Sequence, residues 1–305
     1  MLTDEFIDQV FDPVATLNLK LISLSDLADE EVERWHPRWS LQPADLRGSI
    51  IDRLETLTED NTEINFDAIY RVALGDPEPE LRIKAIDALW ECNERWLLNT
   101  LVDLTEDDLE PEVRATAAGH LERFVLLGLQ EELRPSLLEK VESTLRRILA
   151  NDREDSPVRR RALEALSPGD DDDVNDLIRD AYHSRDHDLR LGAIYAMGQH
   201  YDTQWLPALL AELKNPDPEI RYEAARACGA LEDERALPAL IELTKSMDSD
   251  VQEAAITSLG QIGGREAKRV LTECLTSPTP RVKEAAQAAL EELAFGEDPL
   301  RGMPR

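Results

Sequence analysis

A short hydrophobic pattern recurs seven times along the chain and predicts a repeated amphipathic helix. In each copy an apolar anchor is followed four residues later by alanine and eight residues later by another apolar residue. Because offsets of 0, 4 and 8 lie on one face of an α-helix, each copy is predicted to bury one face. The alanine leaves room for a neighbouring helix to approach closely. The anchors are Leu81, Val113, Val158, Leu189, Ile220, Val251 and Val282.

The anchors are evenly spaced, which indicates a stack of equivalent units. The last four steps between anchors are 31 residues each, and the earlier two are 32 and 45 residues. A second stretch with helical apolar spacing precedes several anchored helices, as at 205–216, 236–247 and 266–278. Each unit is therefore predicted to be a helix pair, which buries its apolar face only by stacking against its neighbours.

Two charged columns accompany the apolar pattern. The residue after the anchor is basic in six units, and the residue three before the anchor is acidic in six units. Acidic side chains suit the exposed N–H groups and the dipole at a helix start. We expect both columns to form a structural ladder between neighbouring units rather than a binding stripe.

The segment 236–264, ALPALIELTKSMDSDVQEAAITSLGQIGG, resembles the HEAT-like repeat named after phycobilisome lyases, and the resemblance extends over roughly 66–293. It implies an all-α fold, an armadillo-like α-solenoid (superhelix) of about seven HEAT-like helix-pair repeats. The resemblance does not specify an activity, because HEAT-like proteins include scaffolds, adaptors and a few enzymes.

The N-terminal region departs from the repeat. Residues 1–62 are expected to form an atypical N-terminal helical cap, with helices around 24–35 and 43–59. Trp35 and Trp39 are expected to pack against this cap.

The repeated hydrophobic pattern divides the rest of the chain into a solenoid, an inserted segment and a tail. Residues 63–295 form the predicted repeat solenoid, and the 45-residue step contains an extra helical segment at about 124–143. We expect one short helix there, with Pro135 near its start, and a flexible C-terminal tail over 296–305.

The charge balance limits the class of partner. The chain has 34 Lys and Arg against 64 Asp and Glu, for a formal charge of −30. We expect no nucleic acid and no membrane as partner, since phosphate backbones and anionic lipids attract basic surfaces. The acidic residues are spread along the chain, which fits either a solvated surface or a face for a basic protein. A protein partner is therefore expected, and a basic one is an open alternative.

Little in the sequence points to catalysis. Cys92, Cys228 and Cys274 are odd in number and lack a CxxC spacing, which indicates reduced thiols and a cytoplasmic protein. The chain has no P-loop, GxGxxG, GxSxG or HExxH motif. The HEAT-repeat deoxyhypusine hydroxylases bind iron through His-Glu dipeptides, and no histidine here is followed by glutamate.

A metal site and a cofactor are not expected. His183 and His187 have the i, i+4 spacing that can hold a metal on one helix. However, the pair straddles the predicted turn between two helices, so we interpret both as surface residues.

These patterns favour a non-catalytic scaffold or adaptor that binds a protein on the concave face of the solenoid. Positions two, three and six after the anchor are expected to face away from the packing column. Among them, a partner-binding centre is hypothesised at Tyr195, Tyr222 and Arg226, supported by Arg160 and Arg161, because tyrosine and arginine are typical of binding hot spots. A bilin-lyase-like protein or other HEAT-repeat enzyme accessory is one alternative, and an acidic chaperone or mimic for a basic protein is another.

Overall fold

A computed structural model describes residues 3–11, 18–61, 63–169, 172–200 and 202–297, and every regular element among them is helical. The chain divides into two compact units, 1–148 and 149–305. The predicted all-α fold of stacked helix pairs is confirmed. No described helix combines the length and hydropathy needed to cross a bilayer.

The first unit arranges its helices in two rows. Helices α1, α3 and α5 contact one another in succession, and so do α2, α4, α6 and α8. The helices of residues 1–62 therefore continue both rows, although their sequence lacks the repeated pattern. The helices are α1 (Asp4–Val10), α2 (Asn18–Ile22), α3 (Asp29–Trp39), α4 (Ala44–Asp60), α5 (Asp67–Ala73), α6 (Pro79–Ala88), α7 (Arg95–Asp107), α8 (Pro111–His120), α9 (Glu122–Leu129) and α10 (Pro135–Ala150), which ends two residues past the unit boundary.

The second unit is the more regular. Its helices are α11 (Ser156–Leu166), α12 (Asp172–Tyr182), α13 (His187–Gln199), α14 (Leu206–Glu212), α15 (Pro218–Ala230), α16 (Leu237–Leu243), α17 (Ser249–Ile262), α18 (Gly264–Cys274) and α19 (Pro280–Glu297). The anchored pattern lies on α11, α13, α15, α17 and α19, which we call the second helices, and each contacts the next. The intervening helices are the first helices of their pairs.

The N-terminal region differs in detail from the prediction. The helix expected around 24–35 is α3, which begins only at Asp29 and continues through Pro37 to Trp39. Its late start follows a turn in which Asp26 has a φ of 54°. The helix extends past the proline because Trp35 and Trp39, one turn apart, are both buried. Helices α1 and α2 were not predicted.

The insertion and the C-terminus also differ. The inserted segment adds one helix, as expected, but that helix is α9, and Pro135 instead opens the 16-residue α10. Helix α19 extends two residues into the expected tail, and residues 298–305 lie outside the described part of the chain.

Short polar side chains close the turn between the two helices of a unit. The side-chain oxygen five residues before the anchor accepts the backbone N–H two positions later. This bond occurs at Asp76, Asp108, Ser184, Asn215, Ser246 and Ser277.

The basic column reinforces the same turns. Arg82, Arg114 and Arg221 donate to backbone carbonyls of the turn that precedes their own helix, at 2.7–2.8 Å. The residues of both charged columns make structural contacts, as expected, but most of these contacts lie within one unit rather than between neighbouring units. The basic residue follows the anchor directly, and its side chain therefore faces the turn of its own unit.

A buried carboxylate joins the N-terminal helices to the first repeat. Asp76 accepts hydrogen bonds from Nε and Nη2 of Arg47 and from Nε1 of Trp39, each at 2.8 Å. Both Asp76 and Arg47 are buried. The pair therefore depends on its hydrogen bonds to compensate for lost hydration.

Asp76→Ala should lower the free energy of unfolding by about 3–5 kcal/mol, because the buried Arg47 charge loses its partner. The matched control is Asp52→Ala, which removes an exposed ion pair with Lys84 and should cost less than about 1 kcal/mol. Urea unfolding followed by tryptophan fluorescence measures both. Equal losses in the two variants would contradict the structural role of Asp76.

Three glycines set the spacing of second helices. A β-carbon on Gly198 would lie 2.7 Å from Ala227 Cα, and one on Gly260 would lie 2.8 Å from Ala289 Cβ. A β-carbon on Gly229 would lie 2.7 Å from Ser258 Oγ. Each glycine lies nine residues after its anchor, so the same crossing recurs from unit to unit. Only glycine permits these distances without a shift of the neighbouring helix.

Gly198→Ala should destabilise the protein by about 1–3 kcal/mol through overpacking, although alanine favours the helix. Gly75→Ala is the control, because the nearest atom to its new β-carbon, the Val72 carbonyl oxygen, lies at 3.7 Å. We expect that control to stay within about 0.5 kcal/mol of the original. A stabilised Gly198→Ala variant in denaturant unfolding would show that the helices are not in close contact there.

Candidate functional site

A groove of about 640 Å³ crosses the second-helix face of the second unit. Side chains from α11, α13, α15, α17 and α19 line it, and they include Arg160, Leu191, Tyr222, Glu223, Arg226, Thr257 and Arg281. A smaller cavity of about 100 Å³ shares Glu223, Arg226 and Thr257 with the groove and also contacts Tyr195. The two spaces together form the candidate site.

The structure brings four of the five hypothesised binding residues to this site. Arg160, Tyr222 and Arg226 line the groove, and Tyr195 lines the smaller cavity beside Arg226. The Arg226 guanidinium lies 5.7 Å from the centre of the Tyr222 ring, and its side chain is 50% exposed. Arg161 lines neither space and pairs with Glu164 at 2.8 Å.

Glu223, on α15, is the most unusual group at the site. The residue is only 5% exposed, and no donor in the described part of the chain makes a hydrogen bond to its Oε1. Arg226 Nη1 lies 3.7 Å from Oε1, and Arg160 Nη2 lies 3.9 Å from Oε2. Burial raises the pKa of Glu223 above its ordinary value, although Arg226 and Arg160 act in the opposite direction.

Gly192 explains how an arginine on α11 comes near a carboxylate on α15. A β-carbon on Gly192 would lie 3.0 Å from Arg160 Cγ, so its absence lets the arginine side chain cross α13. Arg160 Nε donates to Glu164 Oε1 at 2.6 Å. Burial disfavours the charged guanidinium, but Glu164 and Glu223 together raise the pKa of Arg160. Arg160 is therefore a charged group that is already ion-paired with Glu164.

The other end of the groove is acidic. Arg281 pairs with Asp250 at 2.6 Å and also with Glu253. Asp248 caps α17, with its carboxylate accepting the Asp250 N–H at 3.0 Å. The complete lining has five acidic residues and three arginines, so acidic side chains are in excess by two.

Glu223 and Arg281 were not among the five hypothesised binding residues. Positions two and three after the anchor were expected to face away from the packing column, and Leu191 and Glu223 do line the groove. Leu191, Gly192 and Glu223 are nevertheless buried, because the close approach of consecutive second helices covers these positions. Gly192, at the position of α13 that corresponds to Glu223 on α15, was the only sequence signal that the Arg160 side chain crosses α13.

His187 lies near two carboxylates at the edge of the site. Its Nε2 is 2.8 Å from Asp217 Oδ2, and its Nδ1 is 3.9 Å from Glu219 Oε2. These three side chains have the atom types of a metal site. All three are at least partly exposed, and Asp217 also caps α15, so the geometry is that of a link between α13 and α15. His183 is not part of this cluster.

Glu223→Gln should raise the melting temperature near pH 7, by on the order of 2 °C. The raised pKa means that the folded state binds the Glu223 proton more tightly than the unfolded state does. Stability is therefore lost as pH rises from the ordinary value of 4.5 through the folded pKa. Glutamine keeps the shape of the neutral acid and avoids this loss.

The gain in melting temperature from Glu223→Gln should shrink as pH falls below 4.5, and scanning calorimetry near pH 7 and pH 4 measures it. Glu242→Gln, at an exposed position on α16, is the control and should change neither value. A lower melting temperature for Glu223→Gln near pH 7 would mean that the charged carboxylate stabilises the fold.

Comparisons with known proteins agree with the repeat pattern. Residues 206–291 match the family described as HEAT repeats. No curated protein matches the sequence.

Several solved structures are similar to the chain. Human deoxyhypusine hydroxylase, in complex with glycerol, is 19% identical over 87% of this chain and 96% of its own, with a TM-score of 0.39. The Escherichia coli protein YibA is 18% identical over 90% of this chain and 95% of its own, with a TM-score of 0.45. Kap95p, in a structure with RanGDP, is 11% identical over 94% of this chain and 45% of its own, with a TM-score of 0.49.

The family match covers α14 to α18 and most of α19, where the predicted pattern is most regular. The predicted resemblance to HEAT-like repeats is confirmed by the match over 206–291, which lies within a chain of stacked helix pairs.

Proposed function

We propose that this protein is a non-catalytic interaction scaffold that binds a polypeptide along the groove. The extent of the groove carries the proposal, because five successive second helices contribute to its lining. Arg160 and Arg281 reach the groove from α11 and α19 through their long side chains, so its floor spans α13, α15 and α17. Helices that pack about 9 Å apart would give that floor a length of about 18 Å, which an extended segment of about five or six residues spans. Stacked repeats commonly use such extended surfaces for binding.

Tyr195, Tyr222 and Arg226 form the proposed centre of this surface, with Arg160 and Arg161 on α11 beside it. Tyrosine and arginine supply large contact areas together with hydrogen-bond donors. The stack of Arg226 on Tyr222 presents a ring and a half-exposed guanidinium side by side.

The proposed setting is the cytoplasm. The three cysteines are free thiols, which fits a reducing compartment. Burial raises the pKa of Cys92 to about 11 and that of Cys228 to about 12.

Blocking the groove should weaken peptide binding. A random dodecapeptide library displayed on phage is panned against the full chain, and enriched peptides are measured by fluorescence anisotropy. Thr257→Trp places an indole where the groove and the smaller cavity meet, and it should weaken binding about tenfold or more.

Thr272→Trp is the matched control, because Thr272 is an exposed residue on the first helix α18. It should bind the same peptides as the original protein. Failure to enrich any peptide, or equal binding by Thr257→Trp, would overturn the proposed function. Circular dichroism confirms that both tryptophan variants keep their helical content.

A further inference from the structure

The groove contains a hydrogen-bond acceptor that the described residues leave unsatisfied. Glu223 Oε1 is buried, and the nearest cationic nitrogen, Arg226 Nη1, lies at 3.7 Å, beyond hydrogen-bond distance. Arg160 lies nearer the other carboxylate oxygen, with its Nη2 3.9 Å from Oε2, while its Nε donates to Glu164. A buried carboxylate oxygen without a donor is unfavourable, so a donor that arrived with a partner would gain binding energy.

The surrounding charges determine which kind of donor fits. Glu219 lies one turn before Glu223 on α15 and is 70% exposed. Asp248 caps the start of α17 across the groove, and no lysine or arginine among the described residues pairs with it. Together with Glu223, these carboxylates favour a cationic group between α15 and α17.

An anionic partner would meet less favourable conditions. Each arginine of the lining already faces a carboxylate: Arg160 pairs with Glu164, Arg226 lies beside Glu223, and Arg281 pairs with Asp250. An incoming acid would therefore compete with a carboxylate that lies beside each arginine. A neutral donor would satisfy Oε1 but leave the excess acidic charge of the groove unbalanced.

We infer that the groove binds its polypeptide partner through an arginine or lysine side chain that donates a hydrogen bond to Glu223. This inference rests on the proposed function and specifies the chemistry of the partner. The cationic head satisfies Oε1 and balances the acidic excess, and the aliphatic stem packs on the Tyr222 ring. Arg226 is half exposed and turns toward solvent as the new cation enters.

Peptide pools of defined composition test the inference. The probes are acetylated, amidated and fluorescently labelled dodecapeptides in which position six is fixed as Arg, Lys, Gln, Leu or Glu. All other positions are mixtures of uncharged residues. The Arg and Lys pools should bind the full chain about tenfold more tightly than the Gln pool in fluorescence anisotropy. This preference should weaken between low and moderate salt, because screening reduces charge attraction.

Glu223→Gln should reduce the preference for the Arg pool over the Gln pool to about twofold or less, because it removes the charge that the cation meets. Glu242→Gln on α16 changes the net charge equally and should leave the tenfold preference intact. Both variants keep the shape of the original side chain, so their fold is retained.

The outcomes separate this inference from the proposed function. Equal binding of the Gln and Arg pools, tightest binding of the Glu pool, or an unchanged preference in Glu223→Gln would each overturn the role of a cation at Glu223. If no pool binds, or if Thr257→Trp binds all pools as the original does, the groove is not a peptide site and the proposed function fails as well.

Discussion

Consecutive second helices in the second unit approach so closely that a β-carbon does not fit at their crossing points. Gly198 meets Ala227, Gly229 meets Ser258 and Gly260 meets Ala289. This spacing lets a side chain on one helix act on groups two helices away, as Arg160 does when it crosses Gly192 toward Glu223. A wider spacing would leave Glu223 open to water and remove its unusual environment. The small residues therefore determine both the packing and the chemistry of the groove.

The composition of the chain explains why its surface is strongly acidic, since 34 basic residues stand against 64 acidic ones. Several arginines also have structural roles: Arg82 and Arg221 donate to turn carbonyls, and Arg47 pairs with the buried Asp76. The groove shows the same imbalance on a small scale, and this imbalance is what favours a basic group on the partner.

The repeated alanine and apolar columns were sufficient to predict the second helices, because one buried face per helix imposes a strict period. The glycine contacts were not predictable in the same way, since glycine matters only where the next helix presents Ala227, Ser258 or Ala289. The helices of residues 1–62 lack the period, and α1 and α2 were missed for that reason. The incomplete pairing of the buried Glu223 carboxylate depends on its distances of 3.7 and 3.9 Å to two arginines, and a linear sequence pattern does not contain these distances.

A crystal structure of the full chain with one bound arginine-containing dodecapeptide tests the central claim most directly. We expect the peptide to cross α13, α15 and α17, with a guanidinium nitrogen about 3 Å from Glu223 Oε1. Arg226 should then be displaced from Glu223. A peptide bound on the first helices, or one that crosses the groove while Glu223 Oε1 still lacks a donor, would contradict the role assigned to this carboxylate.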